Sequence, residues 1–208
     1  MTSLNRMAHG APVRRLDHGS FAVPARGERV SGDAVVVGEH DEGLFVAVID
    51  LLGHGPEAAA GAARCATALR TEAGPDVVGA MERLHRVAAS TVGAVALVGW
   101  VDIASEAFAY VSVGNVGGAV TRPGGEPEGL EAQAGVVGQR LPPLRLHRLA
   151  LEPGAVLVVH TDGIPERSRR SLGQAAWRGD ARTMARDLVL QHGRDHDDAS
   201  CFVCRMLP

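Results

Sequence analysis

Val46-Ala47-Val48-Ile49-Asp50-Leu51-Leu52-Gly53-His54-Gly55-Pro56-Glu57-Ala58-Ala59-Ala60-Gly61 is the stretch on which the fold turns. The apolar run Leu44 to Ile49 has the length and β-branched content of a buried strand. It stops at a carboxylate, Asp50, and then at a tight Gly53-His54-Gly55 turn. Pro56 stands at the first helical position, where its missing N–H costs nothing. Glu57 lies in the first turn, where negative charge suits the helix dipole. A strand that ends in an acid, a glycine turn and an alanine-rich helix makes a place to hold a cation and, beside it, an anion.

Upstream, Ala34 to Val37 is a second β-rich run, separated from the first by the polar segment Gly38 to Gly43. The pair reads as a β-hairpin. With the turn centred near Asp41, antiparallel pairing sets Asp33 almost opposite Asp50, the two lying eight and nine residues from the centre. Two carboxylates that meet at one end of a strand pair raise each other's pKa unless a cation lies between them. The plainer alternative is a pair of ordinary strand-end acids in solvent.

Composition narrows the class. The chain has 208 residues, 46% of them hydrophobic but only 3% aromatic, so its core must be built from Val, Leu, Ala and Ile. A formal charge of -3 argues against a nucleic-acid binder, which would show a basic face. Met1 to Gly10 has no apolar run of the signal-peptide kind, and no apolar stretch has the length of a membrane span. The expectation is a soluble, cytoplasmic protein with no membrane partner. Cys201 and Cys204 are spaced like a metal or redox motif, but they fall in a strand-like run. Side chains three apart on a strand point to opposite faces, so both read as buried thiols.

Working outward, Pro56 to Ala73 reads as a helix ending at Gly74. A second helix opens at Pro75-Asp76, with Val77, Met81, Leu84 and Ala88 on its buried face and His85 at the surface. Gly93 to Val101, Ala107 to Val113 and Ala119 to Thr121 are strand-like. Asn115, in the glycine turn before the last of these, reads as a turn-former rather than a site residue. Residues 122–135 read as an exposed loop, and Leu144 to Leu151 and Ala155 to His160 as two further strands. Asp180 is an N-cap for a helix that ends at Gly193, and Cys201 to Met206 is the final strand. Phe21 to Val23 is a short first strand, and residues 1–20 show no clear period. Strands in groups with few helices indicate an α+β protein with antiparallel sheets flanked by helices.

Asp162 ends one strand and Asp197 precedes another, so antiparallel neighbours would bring them to one edge. Asp33, Asp50, Asp162 and Asp197 thus share a context: each lies at a strand end, next to Gly or a second Asp. Hard divalent cations take oxygen ligands, and a two-metal site needs one bridging carboxylate. The Leu51 peptide carbonyl could add another oxygen. Two such cations polarise a phosphoryl oxygen and turn a bridging water into a hydroxide nucleophile. The sequence has no G-x-S-x-G, no Walker A and no H-E-x-x-H to suggest another chemistry.

Ser31-Gly32-Asp33, then Val48-Ile49-Asp50-Leu51-Leu52-Gly53-His54-Gly55 with its small-residue helix, then Thr161-Asp162-Gly163, then Asp197-Asp198-Ala199-Ser200 occur in that order. Together they resemble the SpoIIE/RsbX-like branch of the metal-dependent (PPM, type 2C) serine/threonine protein phosphatases, from about Ala22 to Met206. The resemblance implies a four-layer α/β/β/α sandwich with two Mn²⁺ or Mg²⁺ ions at one edge. The whole chain, 1–208, would be a single phosphatase domain with a poorly defined segment at 1–20. Asp50 would bridge both ions, Asp33 and the Leu51 carbonyl would bind one, and Asp162 and Asp197 the other. Asp198 would neighbour this set or bind a further, weakly held ion. Gly53, His54 and Gly55 would line the phosphate approach.

The implied reaction is hydrolysis of phosphoserine or phosphothreonine by a metal-bridging hydroxide. Its substrate would be a phosphorylated STAS-domain regulator of a bacterial partner-switching pathway, and the enzyme a monomer or weak dimer. Residues 122–135 and 164–180 are candidate substrate-contact surfaces. Two features depart from the family pattern. Leu51 stands where the family has glycine, and a required positive φ there would cost about 1–2 kcal/mol. No clear phosphate-binding arginine is present, with Arg26 and Arg29 the nearby candidates. Leu51 keeps open an alternative, a weakly catalytic binding module for the same regulators.

Overall fold

The computed structural model describes residues 16–71, 73–165, 168 and 179–208. In chain order the elements are β1 (Leu16–Val23), β2 (Asp33–His40), β3 (Gly43–Leu51), α1 (Pro56–Arg70), α2 (Val77–Ala88), β4 (Ala94–Asp102) and β5 (Ala107–Val113). They continue with β6 (Gly117–Thr121), β7 (Glu128–Gly129), β8 (His147–Ala150), β9 (Val156–His160), α3 (Ala181–His192) and β10 (Ala199–Met206). The strands form two five-stranded sheets, one in the order β2-β3-β4-β5-β8 and the other β1-β10-β9-β6-β7, and neighbouring strands pair antiparallel throughout.

Three apolar layers hold the elements together. One lies between the first sheet and helices α1 and α2, a second between the two sheets, and a third between the second sheet and α3. The architecture is α/β/β/α, as expected. The period-2 pleat explains why β3 is apolar almost throughout. Phe45, Ala47, Ile49 and Leu51 face the helices, while Leu44, Val46 and Val48 face the other sheet. By the same alternation Asp50 falls on the inter-sheet face. Cys201 and Cys204 are free thiols buried on opposite faces of β10, as read from their spacing.

Several boundaries depart from the sequence reading. The β2–β3 turn is only Asp41-Glu42, because His40 pairs with Gly43, so both strands are longer than their apolar cores. Helix α1 closes at Arg70 and not at Ala73; the chain leaves the helix, and Ala73 lies over the Cβ-less Gly38 of β2. Residues 16–20, patternless in sequence, are strand because β1 pairs in full register with β10. Residues 122–135 are tied down by the short strand β7 and by Leu130, which is buried and donates its amide to Gly118 O at 3.0 Å. Leu144 to Leu146 are not strand, since Arg145 N is engaged by Gln133 Oε1 at 2.7 Å instead of a ladder partner. His85 is half-buried, not a plain surface residue, and its Nδ1 accepts from Gly138 N–H at 2.8 Å. Among the described residues no helix is long and apolar enough to cross a membrane.

The inter-sheet layer should carry much of the stability. Leu97 is fully buried in it. Leu97→Ala should cost about 3 kcal/mol, read as a lowered urea midpoint at unchanged slope.

Candidate active site

The β2–β3 hairpin sets Asp33 directly opposite Asp50. The next pair outward exchanges a hydrogen bond, Leu51 N–H to Gly32 O at 3.1 Å. Asp33 and Asp50 are therefore a non-hydrogen-bonded pair, the kind whose Cα atoms come within about 4.5 Å and whose side chains stand closest. Both project from the inter-sheet face at the end of the sandwich. The second sheet brings its acids to the same end: Asp162 just after β9 and Asp197 just before β10, with β9 and β10 paired from Cys201 and His160.

The electrostatics follow from that placement. Asp50 is lifted from 3.8 to about 8, first by burial and then by the charges of Asp33, Asp162, Asp197 and Asp198. Asp33 is lifted to about 7 by burial, partly offset by its hydrogen bond from Thr161. Asp197 is also raised, by burial and by Asp162. Acids that repel one another in a partly dry cleft are held ready for a cation. Oxygen-only donors in this number suit Mg²⁺ or Mn²⁺ rather than a soft metal. Among the described residues no three side chains of ligand type are already drawn into a coordination sphere. Two of the acids are engaged by neutral donors instead. Thr161 Oγ1 donates to Asp33 Oδ2 at 2.7 Å, and Asn115 Nδ2 to Asp162 Oδ2 at 2.7 Å.

Thr161 and Asn115 are the residues that sequence reasoning missed. Thr161 was visible as a polar residue closing an otherwise apolar strand; it is fully buried, and its Oγ1 also accepts from Ser200 N–H. Asn115 is placed by the Gly114–Gly117 turn, and no local pattern reveals that the turn abuts Asp162. Gly163, next to Asp162, lies so close to the Asp198 carbonyl that a Cβ would collide with it. The Thr-Asp-Gly triplet thus combines a brace, a carboxylate and room for the neighbouring strand.

Leu51 ends β3 without positive φ; among the described non-glycine residues only Glu106 has one. The strain expected of a leucine at that position is absent. Its side chain is buried under α1 beside Gly61, on the face away from the carboxylates. Gly53 and Gly55 do adopt positive φ, 92° and 83°, which turns the chain into the start of α1 with Pro56 at its head. The α1 N-terminus has no side-chain cap. His54 is exposed and lies 3.1 Å from Glu28 Oε1 through Nδ1. Arg26 makes a long, exposed contact with Asp195 at 3.5 Å. A cleft of about 440 Å³ opens beside Asp162, lined in part by Asn115, His160, Ile164 and Arg194. Arg194 is thus a cation near the acids that the sequence reading did not single out. Most of the 164–180 surface, and residues 1–15 of the N-terminal segment, lie outside the described residues.

This fold has clear relatives. A chain from a structure described as "The bacterial stressosome: a modular system that has been adapted to control secondary messenger signaling" superposes with a TM-score of 0.84 at 29% identity, over 91% of this chain and 99% of that one. A structure of RsbX in complex with magnesium superposes with a TM-score of 0.80 at 23% identity, over 93% of this chain and 96% of that one. In sequence, the phosphoserine phosphatase RsbX of Bacillus subtilis (strain 168) is 29% identical over 158 residues, 74% of this chain and 79% of its own length. The fold is that of the type 2C phosphatases. The family profile "Stage II sporulation protein E (SpoIIE)" matches residues 40–206, and the chain belongs to that family. It is a protein phosphatase.

The raised carboxylates make the stability of the metal-free protein pH-dependent. Asp33 and Asp50 hold their protons up to about pH 7 and 8 when folded but release them near 3.8 when unfolded. Between these limits the folded state binds more protons, so the stability from these groups is full below about pH 4 and is lost as pH rises to about 8. In chelator, melting temperature should fall over that range, and Asp50→Asn, which cannot ionise, should show a shallower fall. An equal slope in the variant would contradict the assignment.

Proposed function

We propose that the chain is a single phosphatase domain that removes phosphate from phosphoserine or phosphothreonine of a regulatory protein, using two divalent cations held by Asp33, Asp50, Asp162 and Asp197. The observation that carries this is the pair of buried Asp33 and half-buried Asp50, facing acids from the opposite sheet. A protein that only docks partners has no need to keep four like charges together in a partly dry cleft. When bound, the cations would polarise a phosphoryl oxygen and lower the pKa of water at the site.

The chain's own residues do the rest. Asp50, which feels the charge of Asp33, Asp162, Asp197 and Asp198, would be the central carboxylate holding the cations. Asp33 is oriented by Thr161 and Asp162 by Asn115, so neither has to be ordered when an ion arrives. The uncapped N-terminus of α1, reached through Gly53-His54-Gly55, offers amide hydrogens to an incoming phosphate. The cleft beside Asp162, with Arg194 at its wall, suits the residues flanking the phosphorylated side chain.

The RsbX likeness supports a substrate of the partner-switching kind, a phosphorylated STAS-domain regulator. Such an enzyme would act in the cytoplasm as a monomer or weak dimer. The ordinary backbone of Leu51 favours this reading over a pseudophosphatase, because the carbonyl can serve as a ligand whatever side chain it carries.

Hydrolysis of a phosphopeptide or a phosphorylated STAS protein should appear with Mn²⁺ and vanish with chelator. Asp50→Asn should lose at least about 100-fold in kcat with its fold intact, consistent with loss of a bridging ligand. Metal-dependent turnover retained in that variant would refute the site. Leu51→Gly should leave kcat within a few-fold, at some cost in stability from the cavity under α1.

A further inference from the structure

The family resemblance leaves Asp198 either beside the metal ligands or on a further, weakly held ion; it is buried, and both of its oxygens are already committed. Oδ1 accepts from Ala25 N–H at 2.7 Å and Oδ2 from Gly32 N–H at 2.6 Å. The second bond matters because of where Gly32 lies in the ladder. Leu51 N–H donates to Gly32 O at 3.1 Å, so Gly32 and Leu51 form a hydrogen-bonding pair of the β2–β3 hairpin. In such a pair the two residues exchange both bonds, and the return bond would run from Gly32 N–H to Leu51 O. That donor has gone to Asp198 instead.

The other side of β3 offers no substitute. Leu51 pairs with Ala94 of β4, but Ala94 N–H donates to Val137 O at 2.9 Å, and the bonded pair across that ladder is Leu52 with Gly93. The hairpin therefore ends in a half-closed ring, and among the described residues no backbone N–H donates to the Leu51 carbonyl, one residue beyond Asp50 and on the β2 side. Glycine at position 32 is required for this arrangement, since a Cβ there would come within 2.9 Å of Ala58 Cβ in α1.

We propose that Asp198 is a positioning residue and not a metal ligand: by capturing the Gly32 amide it withholds the ladder donor from Leu51 and leaves that carbonyl as a cation ligand beside Asp33 and Asp50. It also pins the Ala25 and Gly32 backbone to the start of β10, so the hairpin's acids and those of the second sheet keep a common frame. The inference rests on the metal centre proposed above and adds a reason for the paired Asp197-Asp198: the first acid faces the ions and the second holds the opposite sheet.

The test is calorimetric Mn²⁺ titration of the full chain, wild type against Asp198→Asn and Asp198→Ala, with the Gly32 amide followed by NMR in metal-free samples. Asparagine keeps one acceptor oxygen and guards against a variant that does not fold. Asp198→Asn should still bind two ions, one of them about 10- to 100-fold more weakly, the range seen when an outer partner of a ligand is removed. Asp198→Ala should weaken the same ion further, and its Gly32 amide resonance should move upfield as the charge-assisted bond is lost. Wild-type affinity for both ions in the two variants would overturn the proposal. Complete loss of one ion in Asp198→Asn, matching Asp197→Asn, would make Asp198 a ligand and overturn it also. A wild-type protein that takes up no Mn²⁺ would remove the metal centre itself, a result distinct from either.

Discussion

The repulsion between Asp33 and Asp50 is the constraint on which the rest of this structure depends. A hairpin of β-branched residues would be expected to bury apolar side chains along its whole inter-sheet face. Here the last position on that face carries two carboxylates in closest cross-strand register, both lifted toward neutrality by burial. Like charges directly opposite destabilise a strand pair. The fold holds them through the apolar layers on either side, in which Val46, Val48 and Ile49 are fully buried. A cation would turn the same repulsion into attraction.

Around that pair, neutral donors do the orienting. Thr161 reaches from the second sheet to Asp33, the Ser200 amide secures Thr161, and Asn115 holds Asp162. Hydroxyl and amide groups fix the direction of a carboxylate without supplying a positive charge that would compete with an ion. No arginine or lysine is bonded to any of the four acids among the described residues. The Asp198 carboxylate extends the same scheme to backbone, accepting from the amides of Gly32 and of Ala25 in the loop before β2.

Much of this was legible in the chain. The hairpin followed from two apolar runs and a polar turn, which put Asp33 within a residue of Asp50; the two-residue Asp41-Glu42 turn then sets them directly opposite, because antiparallel pairing conserves the sum of paired residue numbers. The faces of Cys201 and Cys204 followed from the strand period alone, and the Asp180 cap from the residue type before an amphipathic run. Less legible were elements whose partners are distant. Leu16 to Ser20 are strand only because β10 pairs with them, and residues 122–135 are ordered through Leu130 and the amide of Glu131, which donates to Tyr110 Oη.

By itself, then, the sequence determined most of the local units: the β2–β3 hairpin and the apolar strands, where α1 begins, and that four aspartates stand at strand ends. These depend on the pleat, the helix period and turn chemistry, all of which act within a few residues. Only the tertiary structure decided that Asn115 and Arg194 lie near Asp162, that Thr161 serves Asp33, and that Asp198 binds backbone. Those contacts join residues between 32 and 173 positions apart. Leu51 shows the division most clearly. Its side chain suggested strain, whereas the strand geometry gives it an ordinary backbone and sends the side chain into the core. What is left facing β2 is a carbonyl, a group every residue carries and no sequence pattern can mark.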